Sequence, residues 1–255
     1  MINKIVGSFD EAVADIPDGA VIGMDSWAIA ATPQNLIAAL KRKGAKDLTI
    51  VTHCFIPMIF GEDKAVMPAV LLPQMKKLIT PVVGIRHLGG VAFVQEYIDR
   101  GLEIDQTTIG TLSYRLFAGA ARFGGFYNPV GVGTVVEEGK EKRVIDGEEY
   151  ILEKPVRLDY AFVSAHRADR LGNLTYKGVF RGDGPVMAMG AKTTIAEVEE
   201  IVEVGEIDPE CVVSAGIFVD RVVEIPGDGL ATKKRLAELI EELHNIEPAR
   251  KLMFG

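Results

Sequence analysis

The chain has 255 residues, 48% of them hydrophobic and 25% charged, with a formal net charge of -8 and a pI near 5.2. That length buries a sizeable core in one large α/β domain, or at most two small ones. The acidic balance argues against a nucleic-acid binder, and no run of about 18 apolar residues suggests a membrane span.

The first residues, Met1 to Ser8, soon meet Asp10, Glu11 and Asp15 and carry no signal-peptide pattern, so a soluble, cytoplasmic protein is expected. Val21-Ile22-Gly23-Met24 reads as a short buried strand. Thr32-Pro33 then reads as an N-cap and a first-turn proline opening a helix from Gln34 to Arg42. Leu36, Ile37 and Leu40 share one face of it, and Gly44 is its stop. Leu48 to Thr52 predicts a second buried strand, and strand, helix, strand at this spacing is the mark of a parallel sheet. Cys54 and Cys211 lie far apart in no metal-ligand spacing, as expected of a reduced intracellular chain.

Further along, the pattern repeats more loosely. Gln74 to Ile79 leads toward Pro81-Val82-Val83-Gly84, Val91 to Arg100 and Thr111 to Ala121 have helical spacing, and Val130 to Val136 looks like a strand. Arg143 to Ile145 and Glu149 to Leu152 flank Asp146-Gly147, a strong two-residue hairpin signal. Tyr160 to Val163 is another buried strand, and Leu171 to Leu174 a turn into the next. Ala191 to Glu203 mixes helix and strand signals, with Ile201-Val202 as strand. Ala231 to Glu247 is an amphipathic helix with a stripe of Leu236, Leu239, Ile240 and Leu243. The expected fold is α/β: a mostly parallel sheet flanked by helices, an antiparallel hairpin excursion and a C-terminal helix. Residues 1–226 form the domain and 227–255 the helical tail.

Several collinear stretches carry a family resemblance. Phe126-Tyr127-Asn128-Pro129-Val130-Gly131-Val132-Gly133-Thr134 resembles the family I coenzyme A transferase stretch Phe-Tyr-Thr-Pro-x-Gly-x-Gly-Thr. Asp146-Gly147 with Tyr150 to Glu153, Asp159 to Val163, Ala168 to Asn173 and Thr193 to Val202 match the same family in order and spacing. The chain is most like the first, or alpha, subunit of the 3-oxoacid and short-chain acyl transferases. The resemblance implies a ping-pong transfer of coenzyme A between small carboxylic acids, with coenzyme A and acyl-CoA as substrates and no metal. A glutamate carboxylate attacks the thioester, splitting one difficult exchange into easier covalent steps. That glutamate stands in a Ser-Glu-Asn-Gly stretch in the family's second half; neither Glu-Asn nor Asn-Gly occurs here. The resemblance therefore implies no catalytic nucleophile in this chain, a separate β subunit that supplies it, and a hetero-oligomer. The acidic charge suits so acidic a ligand only where basic residues converge or a partner provides them.

The sequence also departs from the family. Asp25-Ser26-Trp27 stand where Gly-Gly-Phe is usual, Thr108-Ile109-Gly110-Thr111 where relatives carry Pro-Gln-Gly-Thr, and Phe180 to Gly184 where they have Arg-Asn-Phe-Asn. Ile85 to Val91, with Arg86 and His87, departs as well. The expected acyl-pocket residues are Asp25, Ser26, Trp27, Phe126, Tyr127, Asn128, Gly131 and Gly133, with an anion favoured at the helix beginning near Thr32. The residues alone leave Asp25 open between a solvated turn and a pocket wall, and Trp27 between core, interface and ligand contact. His53, beside Cys54, has no metal spacing and is not expected to form a nucleophile pair with it. His166, Arg167 and Arg181 read as surface charges with a phosphate-holding alternative, and Glu197, Glu199 and Glu200 as a solvated face. Two other functions stay open: a hydrolase on the same fold that cleaves a carbon–carbon bond in a cyclic acyl-CoA, and a non-catalytic ligand-binding or regulatory protein.

Overall fold

A computed structural model describes residues 2–25, 31–55, 68–83, 90–177 and 181–227. The expected tail helix from Ala231 to Glu247 lies outside the described residues, as do Ser26, Trp27, Arg86, His87 and Phe180.

The central strand is β1 (Val21–Met24), and its side chains alternate between two cores. Ile22 and Met24 join Leu36, Ile37 and Phe162 on one face, while Val21 packs with Leu112 and Leu158 on the other. β2 (Leu48–Val51), β3 (Met75–Thr80) and β4 (Glu103–Gln106) extend the sheet outward in parallel. The chain then leaves the sheet. β5 (Phe126–Asn128), β6 (Lys142–Ile145) and β7 (Glu148–Glu153) make a separate antiparallel sheet in the order β5-β7-β6, turning at Asp146-Gly147 as expected. It returns to the far side of β1, where β8 (Leu158–Asp169) lies beside it and receives the short antiparallel β9 (Leu174–Thr175). β10 (Ala191–Val202) and β11 (Arg221–Glu224) complete the parallel sheet.

Helices cover both faces, which is why the central strands are apolar on both sides. α1 (Phe9–Ala12), α2 (Gln34–Lys43) and α3 (Gly90–Asp99) seat Ala12, Leu36, Ile37, Leu40 and Val94 in one core. α4 (Ile109–Ala120) and α5 (Gly184–Gly190) seat Leu112, Leu116 and Met187 in the other. Each such side chain contributes about 1.5–3 kcal/mol by leaving water. α4 also ties the two sheets together. Arg115 reaches both Asp105 oxygens, at 3.1 and 2.9 Å, and the Lys154 carbonyl at 3.0 Å; Glu153 of β7, 1% exposed, lies 4.0 Å from Arg115 and 2.6 Å from Lys140. Burial alone would push Asp105 up, but the Arg115 fork outweighs it and holds the carboxyl below the ordinary range.

The structure differs from the sequence reading in four local ways. Pro33, not Thr32, stands at the cap position of α2, with no side-chain cap of its own. Val130 to Val136 is not a strand: the strand precedes it, and the segment turns into a short 3-10 helix at Val135–Glu137. Gly131 and Gly133 take left-handed φ values of 99° and 77°, which break an extended ribbon, and Thr134 caps the 3-10 turn by accepting from the Val136 N–H. Ala191 to Val202 is strand throughout, because continuous parallel pairing with β8 overrides its helix-forming residues. α4 begins earlier than expected, at Ile109, with Thr108 as its cap.

Candidate functional site

The strand order reverses between β1 and β8, and open α/β sheets bind ligands at the carboxyl ends of strands beside such a reversal. Asp25 follows β1, His53 lies just beyond β2, Ser113 is on the second turn of α4, and Arg181-Gly182-Asp183 lead into α5. With Ile109 they line a cavity of about 320 Å³.

Asp25 is no solvated turn residue. It is 2% exposed and accepts the Gly184 N–H at 3.2 Å. Gly182 faces it with φ 48°, and a Cβ there would lie 1.9 Å from Asp25 Oδ2. The carboxylate thus occupies the space that any side chain at position 182 would need. Behind this pair, burial pushes the Tyr176 hydroxyl up to about 12, so it stays neutral, hydrogen-bonded to Ser214 at 2.9 Å.

His53, Ser113 and Asp183 meet at one oxygen. His53 Nε2 lies 2.9 Å from Asp183 Oδ2, the Ser113 hydroxyl donates to the same oxygen at 2.8 Å, and Ser113 Oγ is 3.3 Å from His53 Nε2. A hydrolytic triad sets the acid on one ring nitrogen and the serine on the other. Here both groups use Nε2 and the serine proton points at the carboxylate, so Ser113 is not primed as a nucleophile. Burial pushes Asp183 up, yet His53 and Ser113 together outweigh it and hold its carboxyl below the ordinary range. Neighbouring Cys54 is pushed up to about 11 by burial, which keeps it a thiol.

A second cavity, of about 450 Å³, opens on the other side of the first turn of α4. Phe126, Tyr127, Asn128 and Val130 form one wall, and Thr108, Gly110, Thr111 and Tyr114 the other. The Phe126 and Tyr114 rings lie 6.1 Å apart. The Asn128 amide donates to Thr111 Oγ1 at 2.9 Å and its carbonyl oxygen accepts from the Val130 N–H at 3.1 Å, which fixes both faces of the side chain. The Tyr127 hydroxyl donates to Glu141, and the Arg143 guanidinium sits 4.7 Å over its ring. Gly131 and Gly133 do not line this wall; they shape the loop behind it. A Cβ at Gly131 would press on Val136 at 3.0 Å, and the Gly133 N–H donates to Glu137 at 2.6 Å.

The expected pocket residues therefore divide. Asp25 belongs to the first cavity, Phe126, Tyr127 and Asn128 to the second, Gly131 and Gly133 to the supporting loop, and Ser26 and Trp27 lie outside the described residues. Glu197, expected on a solvated face, is fully buried. Its Oε2 accepts from the Asn35 and Leu36 N–H groups at 3.0 and 3.1 Å. The helix N-terminus expected to favour an external anion is thus filled by the chain's own carboxylate, which does the capping that Pro33 cannot. Glu199 and Glu200 do lie nearer the surface, pairing with His166 at 2.8 Å and Arg167 at 2.6 Å. The grouping of His53, Ser113 and Asp183 was missed by sequence reasoning. Their positions just past a strand or near a helix start were the only signal.

The profile of the family described as Coenzyme A transferase matches residues 6–225. The A-subunit of the 3-oxoadipate CoA-transferase of Pseudomonas putida is 40% identical over 228 residues, covering 89% of this chain and 96% of the relative. The A-subunit of the probable succinyl-CoA:3-ketoacid coenzyme A transferase of Bacillus subtilis is 36% identical over 223 residues, covering 87% and 90%. Among solved structures, an acyl-CoA transferase from Escherichia coli O157:H7, in a thioester complex with CoA, superposes with a TM-score of 0.76 at 22% identity. That alignment covers 88% of this chain and 48% of the solved one, so the chain spans about half its length. On the extent of the family match and the identity to these two relatives, the chain belongs to the coenzyme A transferase family.

Proposed function

We propose that this chain is the alpha subunit of a heteromeric CoA-transferase that moves coenzyme A between small carboxylic acids by a ping-pong mechanism. One observation carries the reading: the chain spans nearly all of a relative named as an A-subunit, yet only about half of a solved transferase chain. The lining of the cavity at the strand ends agrees with it, since among the described residues it includes no glutamate, and both of its described carboxylates are engaged within the chain. The nucleophile in this reading is a glutamate of a partner β subunit, in a Ser-Glu-Asn-Gly stretch.

The chemistry then runs in balanced steps. The partner's carboxylate attacks the acyl thioester carbonyl, expels coenzyme A as thiolate and becomes an acyl anhydride. The thiolate attacks the glutamyl carbonyl of that anhydride, releasing the first acid and leaving a glutamyl-CoA thioester; the second acid reverses the sequence. This chain supplies walls and fixed donors around the acid and thioester, with Phe126 to Asn128 and Asp25 shaping the acyl pocket. No metal is needed, and a soluble, cytoplasmic setting fits; among the described residues no helix is long and apolar enough to cross a membrane.

The test is isolation from native cells followed by borohydride reduction in the presence of acyl-CoA. A co-purifying chain that carries the reduced glutamate is the expected result. Label on this chain, or full transfer by this chain alone, would sink the reading. A second reading, as part of a hydrolase acting on a cyclic acyl-CoA, is favoured by the His53, Ser113 and Asp183 cluster, because acid exchange needs no proton-handling group. Water-dependent cleavage with no acceptor acid would select it.

A further inference from the structure

We propose that the cavity between Phe126 to Val130 and the first turns of α4 takes an apolar acyl tail, so that the acids exchanged include ones of hexanoate or phenylacetate size. The inference rests on these walls being the acyl pocket of the proposed function, and it adds the class of acid. Phe126, Tyr127, Tyr114 and Val130 supply the apolar part of the lining. Most of the polar side chains there are already spent inside the chain. The Thr108 hydroxyl donates to Thr111 Oγ1 at 2.7 Å, the Asn128 amide donates to the same oxygen at 2.9 Å, and the Tyr127 hydroxyl donates to Glu141. Among the described lining residues none is an acid, a lysine, an arginine or a histidine. Arg143, stacked on the Tyr127 ring, is paired with Glu141 at 3.5 Å and is not one of them. A carboxylate at the far end of an acyl group would lie here without a counter-charge, whereas methylenes or a ring would lie against aromatic walls.

Space and exposure agree. The hollow measures about 450 Å³, and an apolar cavity of about 150 Å³ suffices for a benzene ring. Tyr114 is 65% exposed and Val130 49%, so a tail lying between them would cover apolar surface that the chain itself leaves in water. Gly110 keeps the helix side of the hollow open. A Cβ there would meet nothing within 4 Å outside its own helix turn, so packing does not demand glycine. Ile109 beside it lines the strand-end cavity and stands where relatives carry glutamine, so the step from one cavity to the other is apolar as well.

The test is calorimetry of unreactive coenzyme A thioethers on the full chain, in whatever assembly it forms in its native cells. S-ethyl-, S-butyl- and S-hexyl-CoA are compared with S-phenethyl-CoA and with S-(ω-carboxypentyl)-CoA, which carries a carboxylate at the far end. Affinity should rise about threefold per methylene from ethyl to hexyl, and S-hexyl-CoA should bind about tenfold more tightly than its carboxyl-ended counterpart. S-phenethyl-CoA should fall with the tight end of the series. Gly110→Leu, whose side chain would enter the hollow, should flatten the series, and Gly110→Ala should flatten it in part. Both replacements suit a helix better than glycine, so a loss of binding is not a loss of fold. A flat series in the parent, a rise that persists in Gly110→Leu, or equal or tighter binding of the carboxyl-ended thioether would overturn the proposal. So would loss of a partner chain from the native mass of Gly110→Leu, which would make the hollow a seat for that partner. A rising series without any coenzyme A transfer between acids would instead sink the transferase reading and leave the tail site standing.

Discussion

The two cavities share one wall, the first turns of α4, and are otherwise built in opposite ways. The cavity lined by Phe126, Tyr127 and Asn128 is built from two short stretches, one laid along the small sheet and the other at the start of a helix close in sequence. The cavity lined by Asp25, His53, Ser113 and Asp183 gathers single residues from the ends of β1 and β2, from α4 and from the approach to α5. The first is apolar and aromatic with one fixed amide; the second is polar, with its carboxylates held by the chain's own donors. A local stretch can keep its shape through its own turns. A convergent cluster depends on every element that delivers a member to it.

The sharpest way to break both cavities at once is to unseat α4, whose first turns are their common wall, at its last turn. Gly119 on α4 faces the Val156 carbonyl so closely that a Cβ would lie 1.9 Å from the oxygen. Gly119→Val should lower stability by about 3 kcal/mol or more, read by urea unfolding, because the clash is with backbone rather than a side chain that can swing away. A smaller effect, confined to the strand-end side, is expected at Glu197. Glu197→Ala leaves the Asn35 and Leu36 N–H groups buried and unpaired, and should cost about 2 kcal/mol in the same measurement.

The next two changes separate the cavities. Asp183 has a folded pKa below its unfolded value, so the stability it contributes is present above about pH 4 and is lost as the pH falls through its lowered folded pKa. Asp183→Asn should therefore be less stable than the parent near neutral pH, with the gap closing in thermal melts taken down to about pH 3. A gap that stays constant with pH would remove charge as the reason for the cluster. Asn128→Ala should cost about 1 kcal/mol through the lost bond to Thr111, with no pH dependence over the same range. If its effect followed the Asp183 profile, the two cavities would not be independent.

How legible each region was follows the same division. The strand from Val21 to Met24, the helix closing at Gly44 and the hairpin at Asp146-Gly147 were readable because apolar runs, caps and turn residues act over a few positions. The Phe126 to Thr134 stretch was readable as a motif but misread as a strand beyond Asn128, since two left-handed glycines bend what the β-branched valines suggest. The stretch from Ala191 to Val202 was ambiguous by composition, and only its partner β8 settled it. Glu197 was placed on a solvated face together with Glu199 and Glu200; alternation keeps Glu197 and Glu199 on one face of β10, and it is the N-terminus of α2, distant in sequence, that covers Glu197.

The sequence by itself determined the alternation of strands and helices, the antiparallel hairpin, the membership of the chain in its family and the lack of any Glu-Asn pair. All of these are properties of neighbouring residues or of their order. Only the tertiary structure decided that Asp25 fills the space over Gly182, that His53, Ser113 and Asp183 share one oxygen, and that Glu197 takes the helix end left for an anion. Those contacts join residues some 60 to 160 positions apart, with |i−j| of 60, 70, 159 and 162 for the bonds that make them. No periodicity or spacing rule reaches that far; the register of the parallel strands and the packing of helices on both faces bring them together.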